Sequence, residues 1–244
     1  MTIWEVAALA GATFGAALIH ATTGFGFALF IMPPLAALLG PVDAVVVSTL
    51  LGTVSNSRIL AGAWRHADWR LCLPMLAGAA VGMPVGLAVL LAADPRALRA
   101  AIALVVLAST LAIARGRPIP WRGRAAELGV GLLSGVLNTS TSTNGPPVVL
   151  YLHGIRMEPA RFRGTLAAYF TASSAIALVL LAAGGTIGAR TIWLALAGLP
   201  ALLLGYAIGV RAFRRIDPIR FRHLVIAILV VTAVVSLASA VGGG

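Results

Sequence analysis

Residues 138–147 read Asn138-Thr139-Ser140-Thr141-Ser142-Thr143-Asn144-Gly145-Pro146-Pro147, and they interrupt an apolar stretch that runs from 126 to 153. Polar side chains of this kind compete with a helix for backbone hydrogen bonds, and glycine and proline interrupt it. A second interruption, Thr22-Thr23-Gly24-Phe25-Gly26, divides the apolar stretch from 6 to 39. Each stretch is therefore predicted to form two short helices joined by a break.

The composition around these interruptions is that of a membrane protein. Hydrophobic residues make up 60% of the 244-residue chain and charged residues only 10%, whereas a soluble domain carries about 25% charged residues. A bilayer core needs about 20 apolar residues per helix. The uninterrupted runs of about this length are 44–63, 71–92, 97–114, 165–183, 191–210 and 223–240. The chain is therefore predicted to be an all-α, polytopic membrane protein.

The same order of segments occurs twice along the chain, because each half contains one interrupted stretch followed by three apolar runs. The motif Asp94-Pro95-x-x-x-Arg99 recurs 123 residues later as Asp217-Pro218-x-x-x-Arg222. Gly82 and Gly86 recur at the same offset as Gly205 and Gly209. We predict two repeats, 1–120 and 121–244, within one integral membrane domain.

The arginines indicate how the interrupted stretches lie in the membrane. All 18 basic residues are arginine. If each interrupted stretch is a re-entrant hairpin, fourteen arginines fall on one face of the membrane. Three fall on the other face, namely Arg96, Arg99 and Arg190. If each interrupted stretch instead crossed the membrane once, the split would be ten against seven, and the positive-inside rule favours the first arrangement. Each half then crosses three times, so the repeats are inverted and both termini lie on the outer, periplasmic side of the cell (inner) membrane.

Two opposed hairpins place their tips near the middle of the bilayer, where transporters with inverted repeats bind substrate. The second helix of each hairpin begins near Gly26 or Pro146, so its N-terminus points to the centre and suits an anion. Alternatively, the hydroxyls only satisfy the backbone of a kink. The candidate substrate-binding residues are Thr22, Thr23, Gly24, Phe25, Gly26, Asn138, Thr139, Ser140, Thr141, Ser142, Thr143, Asn144, Gly145 and Pro146.

Two further residues are candidates for gating or coupling. His20 precedes the first interruption, and its ordinary pKa suits a proton-coupling role; the alternative is a histidine bonded to broken backbone. Arg58 lies inside an apolar run, where a charge is a functional hypothesis, although its long side chain can also reach the interface. A polar patch in the run after the second interruption comprises Tyr169, Thr171, Ser173 and Ser174.

Several kinds of chemistry are not indicated by the sequence. Asp43 follows a turn and the other acids lie in or near loops, which argues against a carboxylate site for cations. There is no P-loop and no catalytic or metal-ligand spacing, and the single Cys72 supports no disulfide. We therefore predict no enzyme activity, catalytic residues, metal site or cofactor. A nucleic-acid partner is not expected, since the arginines lie between apolar runs.

The interruptions resemble those of a known family. In the first half Gly24-Phe25-Gly26-Phe27 is followed by Pro33 and Pro34, and in the second half Ser134-Gly135 is followed by Gly145-Pro146-Pro147-Val148-Val149-Leu150-Tyr151-Leu152. This pattern resembles the sulfite exporter TauE/SafE family of membrane transporters. The resemblance implies export or exchange of small sulfur-containing anions (sulfite, sulfoacetate or another organosulfonate) and a substrate region at 22–26 and 138–146. The Ser/Thr/Asn run 138–144 replaces a glycine-rich segment and leaves the exact anion open.

Three functional hypotheses follow from the sequence. The first is a secondary transporter of small anions, the second is a passive anion channel or uniporter, and the third is a non-transporting membrane scaffold. The expected partners are the small anion and the lipid bilayer. Gly82-x-x-x-Gly86 and Gly205-x-x-x-Gly209 favour close helix packing, and the sequence leaves open whether this occurs within one chain or in a homodimer.

Overall fold

The computed structural model describes residues 3–115 and 122–212, and within these ranges every regular element is a helix. The α-helices are α1 (Ile3–Thr23), α2 (Phe27–Leu39), α3 (Pro41–Ala63), α4 (Trp69–Ala92), α5 (Pro95–Arg115), α6 (Arg124–Thr141), α7 (Gly145–Gly154), α8 (Pro159–Ala183) and α9 (Ala189–Ala212). The short 3-10 turn Trp64–His66 lies between α3 and α4. The predicted all-α class is confirmed, while the apolar run 223–240 lies outside the described residues.

Six of the described helices are long and apolar enough to cross a bilayer, namely α1, α3, α4, α5, α8 and α9. The last five correspond to apolar runs predicted from the sequence, with ends shifted by a few residues. The difference is α1, whose span Trp4–Thr23 contains 20 residues and is therefore about 30 Å long. The sequence predicted a shorter helix here. The chain is a multi-pass membrane protein.

The first helix of each half packs against a helix of the other half. Helix α1 lies along α9, α4 lies along α6, and α3 packs against α8. Gly78 faces Leu128 while Gly86 faces Val136, so residue numbers rise in the same direction and α4 runs parallel to α6. Helices α1 and α9 are likewise parallel to each other. This reciprocal packing is compatible with two equivalent halves; their inverted orientation stays a prediction.

Glycine allows both parallel pairs to approach closely. A Cβ atom added at Gly82 would collide with the carbonyl oxygen of Leu132, and one added at Gly205 would collide with that of Phe14. Backbones this close leave no room for side chains, as in other small-residue helix interfaces. The glycines of both sequence motifs are thus packed against helices of the same chain. They do not support a homodimer, which stays a prediction.

Two ion pairs join helix starts at opposite ends of the bundle. Asp68, before α4, lies 2.6 Å from Arg161 of α8, and Asp43 of α3 lies 2.7 Å from Arg190 of α9. The first pair brings the loops at 64–70 and 156–163 to the same end of the bundle, as the arginine count requires. Trp193 is 71% exposed near the other end, as expected for a side chain at a membrane interface.

Helix α8 begins with an acidic cap. The Glu158 carboxylate accepts hydrogen bonds from the backbone N–H groups of Ala160 and Arg161. These two hydrogen bonds hold the pKa of Glu158 below its usual value, because they stabilise the charged form. The cap fixes the start of α8 at Pro159, and Arg163 therefore belongs to the second turn of the helix.

Candidate functional site

The first break comprises residues 24–26, between α1 and α2. Gly24 and Gly26 have φ angles of 79° and 90°, a region that suits glycine and few other residues. The Thr23 hydroxyl is placed within 3.0 Å of the carbonyl oxygen of Ile19 and 2.6 Å of that of Phe25. The sequence of this break therefore provides both the turn and the means to satisfy the end of α1.

The N-terminus of α2 is left without a cap. Its first helical hydrogen bond runs from the Phe30 N–H to the Gly26 carbonyl, and no side chain caps the helix. The N–H groups of Phe27, Ala28 and Leu29 precede that bond and have no carbonyl one turn earlier to receive them. They give this end of α2 the partial positive charge that attracts anions.

The second break comprises residues 142–144, between α6 and α7. Residues 138–141, which the sequence placed in the interruption, continue α6. Ser142 has a φ of 57°, which costs a non-glycine residue about 1–2 kcal/mol. Its Oγ lies 3.1 Å from Ser48 Oγ and 3.2 Å from Thr49 Oγ1, and these hydrogen bonds attach the second break to α3.

Helix α7 differs from α2 in the donors of its first turn. Pro146 and Pro147 follow Gly145 at the start of α7, and proline has no N–H group. The second break therefore presents side-chain groups to the centre of the molecule, where the first break presents backbone N–H groups.

Both breaks line one cavity of about 40 Å³ between α3 and α8. It lies near the middle of both helices, because its lining includes Gly52 of α3 and Phe170 of α8. A cavity needs roughly 10–15 Å³ to hold one water molecule. The space therefore fits about three waters, or one small oxyanion.

About half of the residues predicted from the sequence line this cavity. They are Phe25, Gly26, Asn138, Ser142, Thr143, Asn144 and Gly145, together with His20. The structure thus brings the end of the first interruption to the middle of the second. Their assignment as a substrate site stays a prediction.

The other candidates do not line the cavity, and the hydroxyls among them bond to backbone carbonyls. The acceptors are Ile19 for Thr22 and Thr23, Met83 for Thr139, Val136 for Ser140 and Leu137 for Thr141. Gly24 provides the turn, and Pro146 lines a separate apolar groove between α5, α6 and α7. For these hydroxyls the structure favours the structural alternative that the sequence left open.

His20 and Arg58 have different surroundings. The His20 ring is buried and lines the cavity, with Nδ1 2.6 Å from Ser55 Oγ on α3. Arg58 is exposed, and its guanidinium carbon lies 5.3 Å from the centre of the Tyr206 ring. Arg58 does not line the cavity, so its position favours an interfacial role over one at the site.

Arg163 is a residue near the site that the sequence analysis missed. Its Nη2 donates a hydrogen bond of 3.0 Å to the carbonyl oxygen of Ala21, at the end of α1. Its Cγ lies 3.4 Å from the position of a Cβ atom at Gly24. The arginine count placed Arg163 in a loop, although Glu158-Pro159 is a helix-start signal that assigns it to α8.

The sequence also missed the polar face of α3. Ser48, Thr49 and Asn56 line the cavity, and their spacing places them on one face of the helix. The signal was a cluster of small polar residues in an apolar run. From the polar patch on α8, Ser174 lines the cavity, whereas Ser173 accepts a hydrogen bond from Asn144 Nδ2.

Among the residues with described side chains, no group of three or more His, Cys, Asp or Glu could hold a metal ion. The buried Glu127 lies in the first turn of α6 and accepts a hydrogen bond of 3.3 Å from the Tyr151 hydroxyl. Neither residue lines the cavity.

Comparison with known proteins identifies a family. Residues 9–236 match the family model described as Sulfite exporter TauE/SafE. No curated protein and no solved structure matches the chain.

Proposed function

Because the chain belongs to the sulfite exporter TauE/SafE family, we propose that it is a secondary transporter that exports or exchanges sulfite through the cavity between the two breaks. At the level of the family, it is a membrane transporter of sulfite-type anions and not an enzyme. The observation that carries this proposal is the uncapped N-terminus of α2. Its free N–H groups open into a cavity that the second break also lines. An anion placed there receives backbone hydrogen bonds without a cationic side chain in contact.

Electrostatics around the first break support the same ligand. The C-terminus of α1 carries a partial negative charge that would repel an anion. The Arg163 guanidinium binds the carbonyl of Ala21 at that terminus and offsets this charge. The cavity therefore has a positive helix end on one side and a neutralised negative end on the other.

The volume of the cavity favours the smallest of the sulfur anions. About 40 Å³ accommodates a group of about three or four atoms beyond hydrogen, since one water requires roughly 10–15 Å³. Sulfite, the smallest of the sulfur anions that the resemblance implied, fits this space.

Transport requires each break to separate from α3 in turn. The last turns of α1, before the first break, are held to α3 by the His20–Ser55 hydrogen bond, and the second break is held by Ser142 with Ser48 and Thr49. These contacts lie at different heights along α3, so opening one leaves the other closed. Neutral hydrogen bonds of this kind contribute about 1 kcal/mol each, which allows reversible opening.

The test is sulfite flux in proteoliposomes with two matched glycine variants. Gly26 and Gly40 both have positive φ, and a Cβ atom at either meets nothing within 4 Å. Only Gly26 lines the cavity. Gly26→Ala is expected to lower flux about tenfold or more by placing a methyl group where the anion binds. Gly40 has a ψ of 159°, so Gly40→Ala carries at least as much backbone strain, about 1–3 kcal/mol, and is expected to retain flux.

Equal losses in the two variants would place the site elsewhere. Wild-type protein that moves no anion would overturn the proposal in favour of a scaffold. Flux that never responds to an ion or pH gradient, or that appears as single-channel current, would indicate the passive alternative.

A further inference from the structure

Two buried side-chain oxygens in the cavity have no hydrogen-bond partner. Asn56 and Asn138 both line the cavity, and they are 7% and 1% exposed. The Oδ1 atom of each has no hydrogen-bond partner at bonding distance, although the Asn56 side chain also lies beside the His20 ring. Buried polar atoms in folded proteins are almost always paired, because an unpaired one loses its hydration without compensation. These oxygens therefore point to a ligand that donates hydrogen bonds.

The orientation of both amides is fixed by their nitrogens. Asn56 Nδ2 donates to the Gly52 carbonyl at 2.9 Å, and Asn138 Nδ2 donates to the Ser173 carbonyl at 3.3 Å. A carbonyl oxygen only accepts, so the amide nitrogen must face it and the amide oxygen is the free atom. Exchanging oxygen and nitrogen in either amide would place two acceptors in contact.

The cavity thus offers two kinds of group at once. The N–H groups of α2 donate, whereas the amide oxygens of Asn56 and Asn138 accept. A fully ionised oxyanion has acceptors only, and the amide oxygens would repel it. An oxyanion that retains one proton has charged oxygens for the N–H groups and a hydroxyl for an amide oxygen.

We propose that the site selects the singly protonated anion, hydrogensulfite, over the sulfite dianion. This inference rests on the proposed function. The proton then crosses the membrane on the anion itself, and the protein needs no carboxylate relay. Among the described residues, no Asp or Glu lines the cavity.

Two other groups near the cavity bear on any pH dependence. His20 lines the cavity, and Arg163 lies beside Gly24 at the first break. A proton held by His20 would change the binding of every anion, whereas a proton held by the substrate would change the binding of sulfite alone. This difference separates the two cases.

The experiment uses the full chain in proteoliposomes and labelled sulfite, over a pH series on both sides of the second ionisation of the acid. Methanesulfonate serves as the competitor, because it is a monoanion of similar size that neither carries a hydroxyl nor titrates in this range. The KM for total sulfite is expected to rise about tenfold per pH unit above that ionisation. The inhibition constant of methanesulfonate is expected to stay constant.

Three variants test the residues themselves. Asn56→Ala and Asn138→Ala each remove one amide oxygen. Hydrogensulfite carries one hydroxyl, so below the ionisation the variant that removes the oxygen accepting it is expected to raise the KM for sulfite roughly tenfold, while the other variant is not. Neither variant is expected to change inhibition by methanesulfonate. Thr13→Val is the matched control, since Thr13 Oγ1 is also buried and unpaired but does not line the cavity. It is expected to change neither constant. If one asparagine variant does not fold, the pH series with the unmodified chain still tests the inference.

Several results would overturn the inference while leaving sulfite transport intact. One is a KM that does not depend on pH, and another is a parallel rise of both constants, which would place the proton on His20. A requirement for sodium would show that the amide oxygens bind a cation. Equal effects of the asparagine variants on both anions would make the amides structural. No sulfite flux at any pH would instead contradict the proposed function itself.

Discussion

Arg163 contacts both the carbonyl end of α1 and the glycine that begins the first break. It binds the carbonyl end of α1 through Ala21, and its aliphatic carbons cover Gly24. The guanidinium group of an arginine carries a delocalised positive charge. It therefore supplies a permanent positive charge beside the cavity, and no described cationic side chain lines the cavity apart from the titratable His20. At the scale of single residues, we expect this charge to set how strongly the cavity attracts an anion.

Arg163→Gln is expected to raise the KM for sulfite about tenfold, because it removes a charge that is partly buried and therefore poorly screened. The measurement is sulfite flux in proteoliposomes at low and high salt. Arg161→Gln is the control two positions earlier on the same helix. Arg161 is exposed and paired with Asp68, and such a pair contributes about 0–1 kcal/mol. Equal effects of the two variants would remove Arg163 from the site.

The sequence predicted the backbone of the site better than its side chains. Gly24 and Gly26 were predicted to lie in the break because glycine interrupts a helix, and both have positive φ. The hydroxyls were less informative, since a threonine in a helix bonds equally well to its own helix or to a ligand. Thr141 shows this, because its hydroxyl bonds to the Leu137 carbonyl of its own helix. Arg163 was missed because a charge count assigns residues to loops without locating the start of a helix.

At the scale of helices, the parallel pairs α1–α9 and α4–α6 are the closest contacts between the two halves. A Cβ atom at Gly82 has no space beside Leu132, whereas one at Gly129, on the neighbouring α6, meets nothing within 4 Å. The two positions therefore separate the effect of crowding from that of adding a methyl group to a helix.

Gly82→Ala is expected to destabilise the protein by about 1–3 kcal/mol, because the helices must move apart. Gly129→Ala is expected to be neutral or to stabilise by up to about 1 kcal/mol, since alanine is the better helix former. Thermal unfolding in detergent measures both. If the Gly82 variant is as stable as the Gly129 variant, the close approach of α4 and α6 is not as described.

The lengths of five of the six described membrane-spanning helices were predictable from the sequence, but helix partners were not. Length follows from hydropathy and the thickness of the bilayer. A sequence predicts which helices pack together only if the buried face of a helix differs in composition from its exposed face. In lipid, both faces are apolar. On α4, Leu73 and Val81 are exposed while Met75 and Met83 are buried. The glycines indicated close packing but not against which helix.

At the scale of the whole molecule, the two ion pairs mark opposite ends of the bundle. The end with Asp68 and Arg161 carries the segments 64–70 and 156–163, which contain five arginines, whereas Arg96, Arg99 and Arg190 lie at the other end. The positive-inside rule assigns this end to the cytosol. We therefore expect the starts of α4, α6 and α8 to be cytosolic and the starts of α3, α5 and α9 to lie outside.

Two cysteine variants test this orientation without changing the number of arginines. Ala125 and Ala97 are exposed at the starts of α6 and α5, and the native Cys72 is buried. In intact cells an impermeant thiol reagent is expected to label Ala97→Cys and not Ala125→Cys. Labelling of Ala125→Cys should require permeabilised membranes. The reverse pattern would invert the topology.

The pairing of α1 with α9 also sets the order in which the protein is assembled. The ribosome makes α1 before the other described helices, and residues 24–188 follow before α9 begins at Ala189. Until then the glycine-accommodating face of α1 has no partner of its own chain and lies against lipid or against the insertion machinery. Domains usually fold from the N-terminus as they are made. In this protein α1 is inserted early but is among the last of the described helices to reach its final contacts.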